Sequence, residues 1–267
     1  MGSCFGRQSS SSVQDDYNSK EENPVVVELF SSLGDASSPE AEMLFSQVGR
    51  GDYDLEMPVI LLAYHVDYWN HMGWKDPFGS SLWTVRQKAY NEALQIDSLY
   101  TPQAVFQGKS QCMANEEDEL LSGIKASPRY PGLAFEATFE RLSKDKLQVT
   151  FTGHLRKNID SVGVNINVAL YENGLVTDVE NGPNIGRVLT SDYVVRKLEK
   201  LCFVKDITPK QTVTGTLKFN LWEGFDSSKC GLAVFLQDDY YYIFGSQDIK
   251  LPYDLEVPTT APCNVEA

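Results

Sequence analysis

Two apolar runs some thirty residues apart constrain this chain more than anything else in it. Val25-Val-Val-Glu-Leu-Phe30 is rich in β-branched residues and reads as a strand. Pro58 to Tyr64 is a second strand, and from Val59 onward it carries no polar residue. A strand apolar on both faces suits a parallel position covered on both sides. Between the two runs, Ser38-Pro39-Glu40 opens a helix. Ser38 suits the cap, Pro39 fits the first turn, and Glu40 and Glu42 complement the positive end of the helix dipole. Met43, Leu44 and Val48 give that helix its apolar side, and it ends near Gly49 to Gly51.

The pattern continues through a loop-like aromatic segment, Asp67 to Ser81. A helix follows over Leu82 to Leu94, with Leu82, Val85, Ala89, Ala93 and Leu94 at helical spacing. Ala104 to Gln107 and Ser110 to Met113 form a hairpin about Gly108-Lys109, and Glu116 to Lys125 is a last helix with acids at its start. The order β-α-β, α, β-β-α is the thioredoxin topology. Two positions in that topology matter. The loop after the first strand is where thioredoxin-like proteins keep Cys-x-x-Cys. Thr101-Pro102, before the third strand, stands where they keep a cis-proline, and an X-Pro bond tolerates cis far better than other peptide bonds do.

From Tyr130 the texture changes. Ala134 to Glu140, Leu147 to Leu155, Gly163 to Tyr171, Thr212 to Leu221 and Leu232 to Gln237 alternate or run apolar, with turns at Asp145-Lys146 and Glu172-Asn-Gly174. This predicts an antiparallel β-sandwich. Ser191 to Leu201 reads as a helical interruption, and Tyr240 to Phe244 as a strand. The expected fold class is therefore an α/β thioredoxin-like domain followed by an antiparallel β-sandwich domain. The boundaries are a tail over 1–23, the first domain over 24–128, the second over 129–255 and a C-terminal tail over 256–267.

Several motifs carry a family resemblance. Val26-Val-Glu-Leu-Phe30, His65-Val-Asp-Tyr-Trp69, Gly73-Trp-Lys-Asp-Pro-Phe78, Arg86-Gln87, Tyr100-Thr-Pro-Gln103 and Glu180-Asn, Gly186-Arg, Val194-Val-Arg196 resemble a set of bacterial and plant proteins. These form the thioredoxin-like family known as domain of unknown function 1223, and the resemblance spans about residues 24–250. Many relatives carry Gly-Cys-x-x-Cys-Pro after the first strand. Here the matching residues are Gly34-Asp35-Ala36-Ser37-Ser38-Pro39, so Asp35 and Ser38 stand at the redox positions. A dithiol cycle needs an attacking thiolate and a resolving thiol, and a carboxylate and a hydroxyl form no disulfide. The expectation is a redox-inactive module that binds a protein partner or a small ligand and uses no cofactor. The alternative is a thiol-dependent or acid–base enzyme using Cys112 or Asp35 and His65. Cys112 reads first as a small buried hydrophobe, Cys202 and Cys230 as core thiols, and Asp35 as a helix cap.

Ligands of parallel sheets gather at the carboxyl ends of the strands. That edge should hold Asp35, His65, Asp67, Trp69, Trp74, Asp76, Thr101 and Pro102, with Glu28 beneath as a buried carboxylate able to shuttle protons. His65, Asp67 and His71 have no defining metal spacing, so no metal is expected; His65 and Asp67 could equally tie the aromatic segment to the sheet. Arg187 or Arg196 could pair with an acid of the first domain.

The formal net charge is −14, which repels phosphate backbones and makes a nucleic-acid binder the wrong class. Five cysteines scattered over 267 residues are no disulfide framework. No apolar run approaches a membrane span and no signal-peptide core is present, so the expected setting is cytoplasmic with reduced thiols. Met1-Gly2-Ser3-Cys4 offers Gly2 to myristate and Cys4 to palmitate, although Gly6 replaces the usual Ser or Thr. Two chains would anchor the protein to the cytosolic face of the plasma membrane where one would not. Cys263 is too far from the end for a prenylation box.

Overall fold

A computed structural model describes residues 23–160 and 162–256. Gly2, Cys4 and Cys263, on which the lipidation reading turned, lie outside that range. The chain runs β1 (Val25–Ser31), α1 (Ser38–Arg50), β2 (Val59–His65), a 3₁₀ turn (Asn70–Met72), α2 (Ser81–Ala93), β3 (Gln103–Phe106), β4 (Ser110–Met113) and α3 (Glu117–Ala126). Then come β5 (Leu133–Ser143), β6 (Lys146–Leu155), β7 (Val164–Glu172), β8 (Leu175–Asp178), β9 (Val188–Ser191), β10 (Val194–Val204), β11 (Thr212–Asn220), β12 (Cys230–Gln237) and β13 (Ile243–Lys250).

The apolar runs become the centre of one eight-stranded sheet, ordered β13-β12-β7-β10-β2-β1-β3-β4. β1 and β2 are parallel in register Val25↔Val59, while β3 pairs antiparallel with β1. Alternation along the strands sends odd and even residues to opposite faces. Val25, Val27 and Leu29 of β1 with Leu61 and Ala63 of β2 pack beneath Leu44 and Phe45 of α1 and Ile124 of α3. Val26, Phe30, Ile60, Leu62 and Tyr64 face the other way, onto Trp83 and Tyr90 of α2. That second core also holds Tyr171 of β7, Phe235 of β12 and Ile243 of β13. The two halves read as separate domains thus share a sheet and a core across residue 128.

The three-stranded sheet β11-β6-β5 covers the far end of the large one. Phe135, Val149, Phe151 and Phe219 meet Ile166, Val168, Leu170, Leu232 and Val234 between the layers. The expected helix over Ser191–Leu201 is a strand: β10 pairs with β7 along nearly its whole length, interrupted by two register shifts. Two buried valines, Val194 and Val195, lead it, and their β-branched side chains favour the pleat over a helix. The hairpin β8–β9 was not foreseen, and the Tyr240–Phe244 run turns at Tyr241 (φ 67°) before entering β13 at Ile243. Thr101-Pro102 is cis.

Candidate functional site

The carboxyl ends of β1 and β2 deliver the polar residues to one edge, as their strand positions require, but the side chains are committed to one another rather than to solvent. Asp35 is 5 % exposed. Its Oδ2 accepts hydrogen bonds from Ser38 Oγ at 2.7 Å, Ser37 Oγ at 3.0 Å and Thr101 Oγ1 at 3.0 Å. Its Oδ1 accepts from the Ser37 amide at 3.3 Å. Ser37, not Ser38, is the N-cap residue of α1, and its side chain makes no cap bond. Ser38 is the first helical residue, and its Oγ accepts from the Ser32 amide at 3.1 Å. The loop is closed from outside by Asn184, whose amide donates to the carbonyls of Leu33 at 2.9 Å and Asp35 at 2.7 Å. Trp69 closes it from the aromatic segment, donating through Nε1 to Thr101 Oγ1 at 2.7 Å. Thr101 and Pro102 are buried under these contacts.

His65 forms a second cluster. Its ring is fully buried, with Nδ1 2.9 Å from Asp76 Oδ2 and Nε2 3.2 Å from Glu42 Oε1. The first contact is a hydrogen bond; the second has the distance of an ion pair but lies off the hydrogen-bond axis. Burial alone would lower the histidine's pKa, but Asp76 and Glu42 outweigh it and raise the pKa to about 10. Asp76 is lowered: burial pushes it up, and His65 with the backbone N–H groups of Leu33 and Phe78 more than offsets this. Its Oδ2 accepts from Leu33 N at 2.7 Å and its Oδ1 from Phe78 N at 2.9 Å. Glu42 also accepts from Ser31 Oγ. The cluster is an imidazolium held between two carboxylates, and it pins the aromatic segment to β1 and α1.

Glu28 is fully buried and ion-paired: Arg86 of α2 brings Nε to 2.8 Å and Nη2 to 2.7 Å from its Oε1. Tyr90 donates to its other oxygen. Gln237 of β12 completes the group, accepting from Arg86 Nη2 at 3.3 Å and donating to the Tyr90 hydroxyl at 2.8 Å. A carboxylate held this way braces β1, α2 and β12 together.

Of the nine candidate residues, Glu28, Asp35, His65, Asp76, Thr101 and Pro102 are therefore buried, and Asp67, Trp69 and Trp74 are half-buried. Asp67 accepts from Thr84 Oγ1 at 2.6 Å, and His71 Nδ1 lies 2.6 Å from the Tyr68 carbonyl. His65, Asp67 and His71 thus turn to three different partners. Among the described residues no group of three His, Cys, Asp or Glu side chains could hold a metal ion. Cys112, on β4, is pushed up to about 12 by burial and by Glu119, the opposite of an activated thiol. Cys230 is likewise pushed up to about 12, by burial and Glu172. Arg196 pairs with Glu172 within the second half, and Arg187 donates to Asn184 Oδ1 at 2.8 Å; among the described residues neither meets a first-half acid. Arg196 does lie over the Phe78 ring, 5.4 Å from its centroid.

Arg86 stands in a family motif and Glu42 near the start of a helix, but neither they nor Asn184 were site candidates from sequence. Arg86 and Tyr90, one helical turn apart on the apolar side of α2, are a readable sign that a buried acid must face them. Asn184 has no such signal, since its partners are backbone carbonyls brought close only by the fold.

No helix among the described residues is long and apolar enough to cross a membrane. Comparison with solved structures finds the same architecture elsewhere. A protein from Agrobacterium tumefaciens is 23 % identical, with a TM-score of 0.57 over 86 % of this chain and 94 % of its own. HBP35 of Porphyromonas gingivalis is 15 % identical, with a TM-score of 0.60 over 92 % of this chain and 80 % of its own. At these identities the likeness is one of fold. No curated protein matches. The model of the family described as "Protein of unknown function (DUF1223)" matches residues 26–237, and the chain belongs to that family.

Proposed function

We propose that this protein is a redox-inactive, thioredoxin-like binding module, its first half thioredoxin-like and its second a β-sandwich fused to it, which engages a partner protein or small ligand. One observation carries the reading: the loop that would hold a thiol pair holds the Asp35 carboxylate, sealed by three hydroxyls, an amide and the side chains of Asn184 and Trp69. A buried carboxylate saturated with donors is a fixed structural element. The enzyme alternative draws no support from Cys112, whose thiol is held neutral, or from His65, which faces carboxylates on both ring nitrogens. Contact with a partner would fall to the rim of the aromatic segment, where Trp69 and Trp74 are half-buried and His71 and Met72 exposed.

Insulin reduction with dithiothreitol tests the redox half of this reading. The wild type is expected to give no rate above the dithiothreitol background; a strong rate that disappears in Cys112→Ser would overturn it. Quantitative affinity capture tests the binding half. Met72→Glu alters an exposed side chain at that rim, and proteins retained by the wild type should be lost from it. An identical retained set would remove the rim as the contact surface.

A further inference from the structure

The large sheet has a notch in it. β10 and β2 meet at a single register position, Val194↔Ala63, where the Ala63 amide donates to the Tyr193 carbonyl at 2.8 Å. Tyr193 has φ 59°, a left-handed conformation costly for a bulky residue, and there the chain turns away from β2. The consequence is fixed by the two-residue period of a strand. The Pro58 carbonyl accepts from Val25 of β1, so the even positions of β2 face β1; Ala63 faces β10, so the odd positions face the other way. Val59 and Leu61 therefore point their N–H and C=O groups into the notch, and no described residue bonds them there. Leu61 is 3 % exposed. Unpaired main-chain groups at such a buried position are rare.

Two adjoining cavities, about 500 Å³ and about 280 Å³, lie along this edge and share Val59, Ile60 and Asp248. Pro24, Pro58 and Leu133 wall the larger, Tyr171 and Tyr193 the smaller. Tyr171 donates to Asp248 Oδ1 at 2.7 Å. We propose that the notch binds a short extended peptide, about three residues long, as an added strand on the open edge of β2. Main-chain pairing supplies the affinity in this mode, and side pockets accept alternate residues. The occupant is a lone peptide rather than a second copy of the fold, because the edge is recessed between β5, β13 and the two tyrosines. A strand still paired to its own sheet would carry neighbours into those walls. The walls also hold both signs of charge, Asp248 against Lys250 and Arg156, which matches a neutral main chain better than a strongly charged ligand.

Heptapeptides selected from a random displayed library on the full chain are the probe, and amide exchange followed by NMR is the readout. In the free protein the Leu61 amide should exchange faster than those of Ile60 and Leu62, and bound peptide should slow Val59 and Leu61 at least tenfold. Val59→Pro removes one notch-facing N–H that no internal bond uses, at the first residue of a strand where proline is tolerated. It should weaken the peptide at least tenfold while Ala63 keeps its protection. Should that variant not fold, Ala134→Trp fills the larger cavity and should have the same effect on binding. A Leu61 amide already protected in the free protein would overturn the proposal, as would failure to select a peptide or selection of peptides that bind the wild type and both variants alike.

Discussion

His65 illustrates how a single buried charge can govern pH behaviour. Its folded pKa of about 10 lies above the ordinary histidine value near 6.5. A raised cationic group stabilises the fold fully below its unfolded pKa, and that contribution is lost as pH rises toward the folded value. Between pH 7 and 8, below the range in which unfolded thiols and tyrosines ionise, the wild type should lose thermal stability steadily. His65→Gln should be nearly flat over the same range and less stable at pH 7 by about 3–5 kcal/mol, because Glu42 and Asp76 are left buried without their cation. Thermal melts across that pH range check both; equal slopes would show that His65 is not the group responsible. At this scale the sequence indicated which residues lie at this edge, but not which of them meet. His65 and Asp35 were placed on the correct edge by strand position alone. The burial of Asp35 was not legible, because it depends on Asn184 and on Trp69 folding back over the loop, and both contacts span large sequence separations.

At the scale of elements, the Glu28–Arg86–Gln237 group ties β1, α2 and β12 into one unit. Arg86 also lies over the rings of Tyr64 and Tyr90, at 5.4 and 5.2 Å. Arg86→Met keeps the apolar stem but strands a fully buried carboxylate, and should cost about 3–5 kcal/mol. The double variant Glu28→Gln with Arg86→Met should recover part of that loss, as chemical denaturation would reveal. A double variant no more stable than Arg86→Met would mean that packing, not charge, is lost. Elements whose patterns are strong, such as β1, β2 and the three helices, were readable to within about two residues. β10 was not. Its sequence alternates weakly over Arg196 to Lys200, and what makes it a strand is the unfilled edge of β7, a partner that no local window contains.

For the molecule as a whole, the decisive fact is that one buried core crosses the position where composition suggests a domain boundary. Composition does change near residue 130, and among the described residues the strands of the two halves pair with each other only at Val194↔Ala63, but the buried core does not follow composition. Tyr171, Phe235 and Ile243 from the second half bury the same face of β1 and β2 that Trp83 and Tyr90 cover. The chain should therefore unfold in one calorimetric transition, with van't Hoff and calorimetric enthalpies equal. A fragment ending at residue 128 would leave that face open to water and should not fold alone; two resolved transitions, or a stable fragment with native circular dichroism, would contradict this. The open edge of β2 has a consequence of a different kind. A ligand gripped by Val59 and Leu61 through its main chain is read for its extended shape and width more than for its letters. Partners of such an edge could drift far in sequence without losing their place on it, and a search for a shared recognition motif among them would find little.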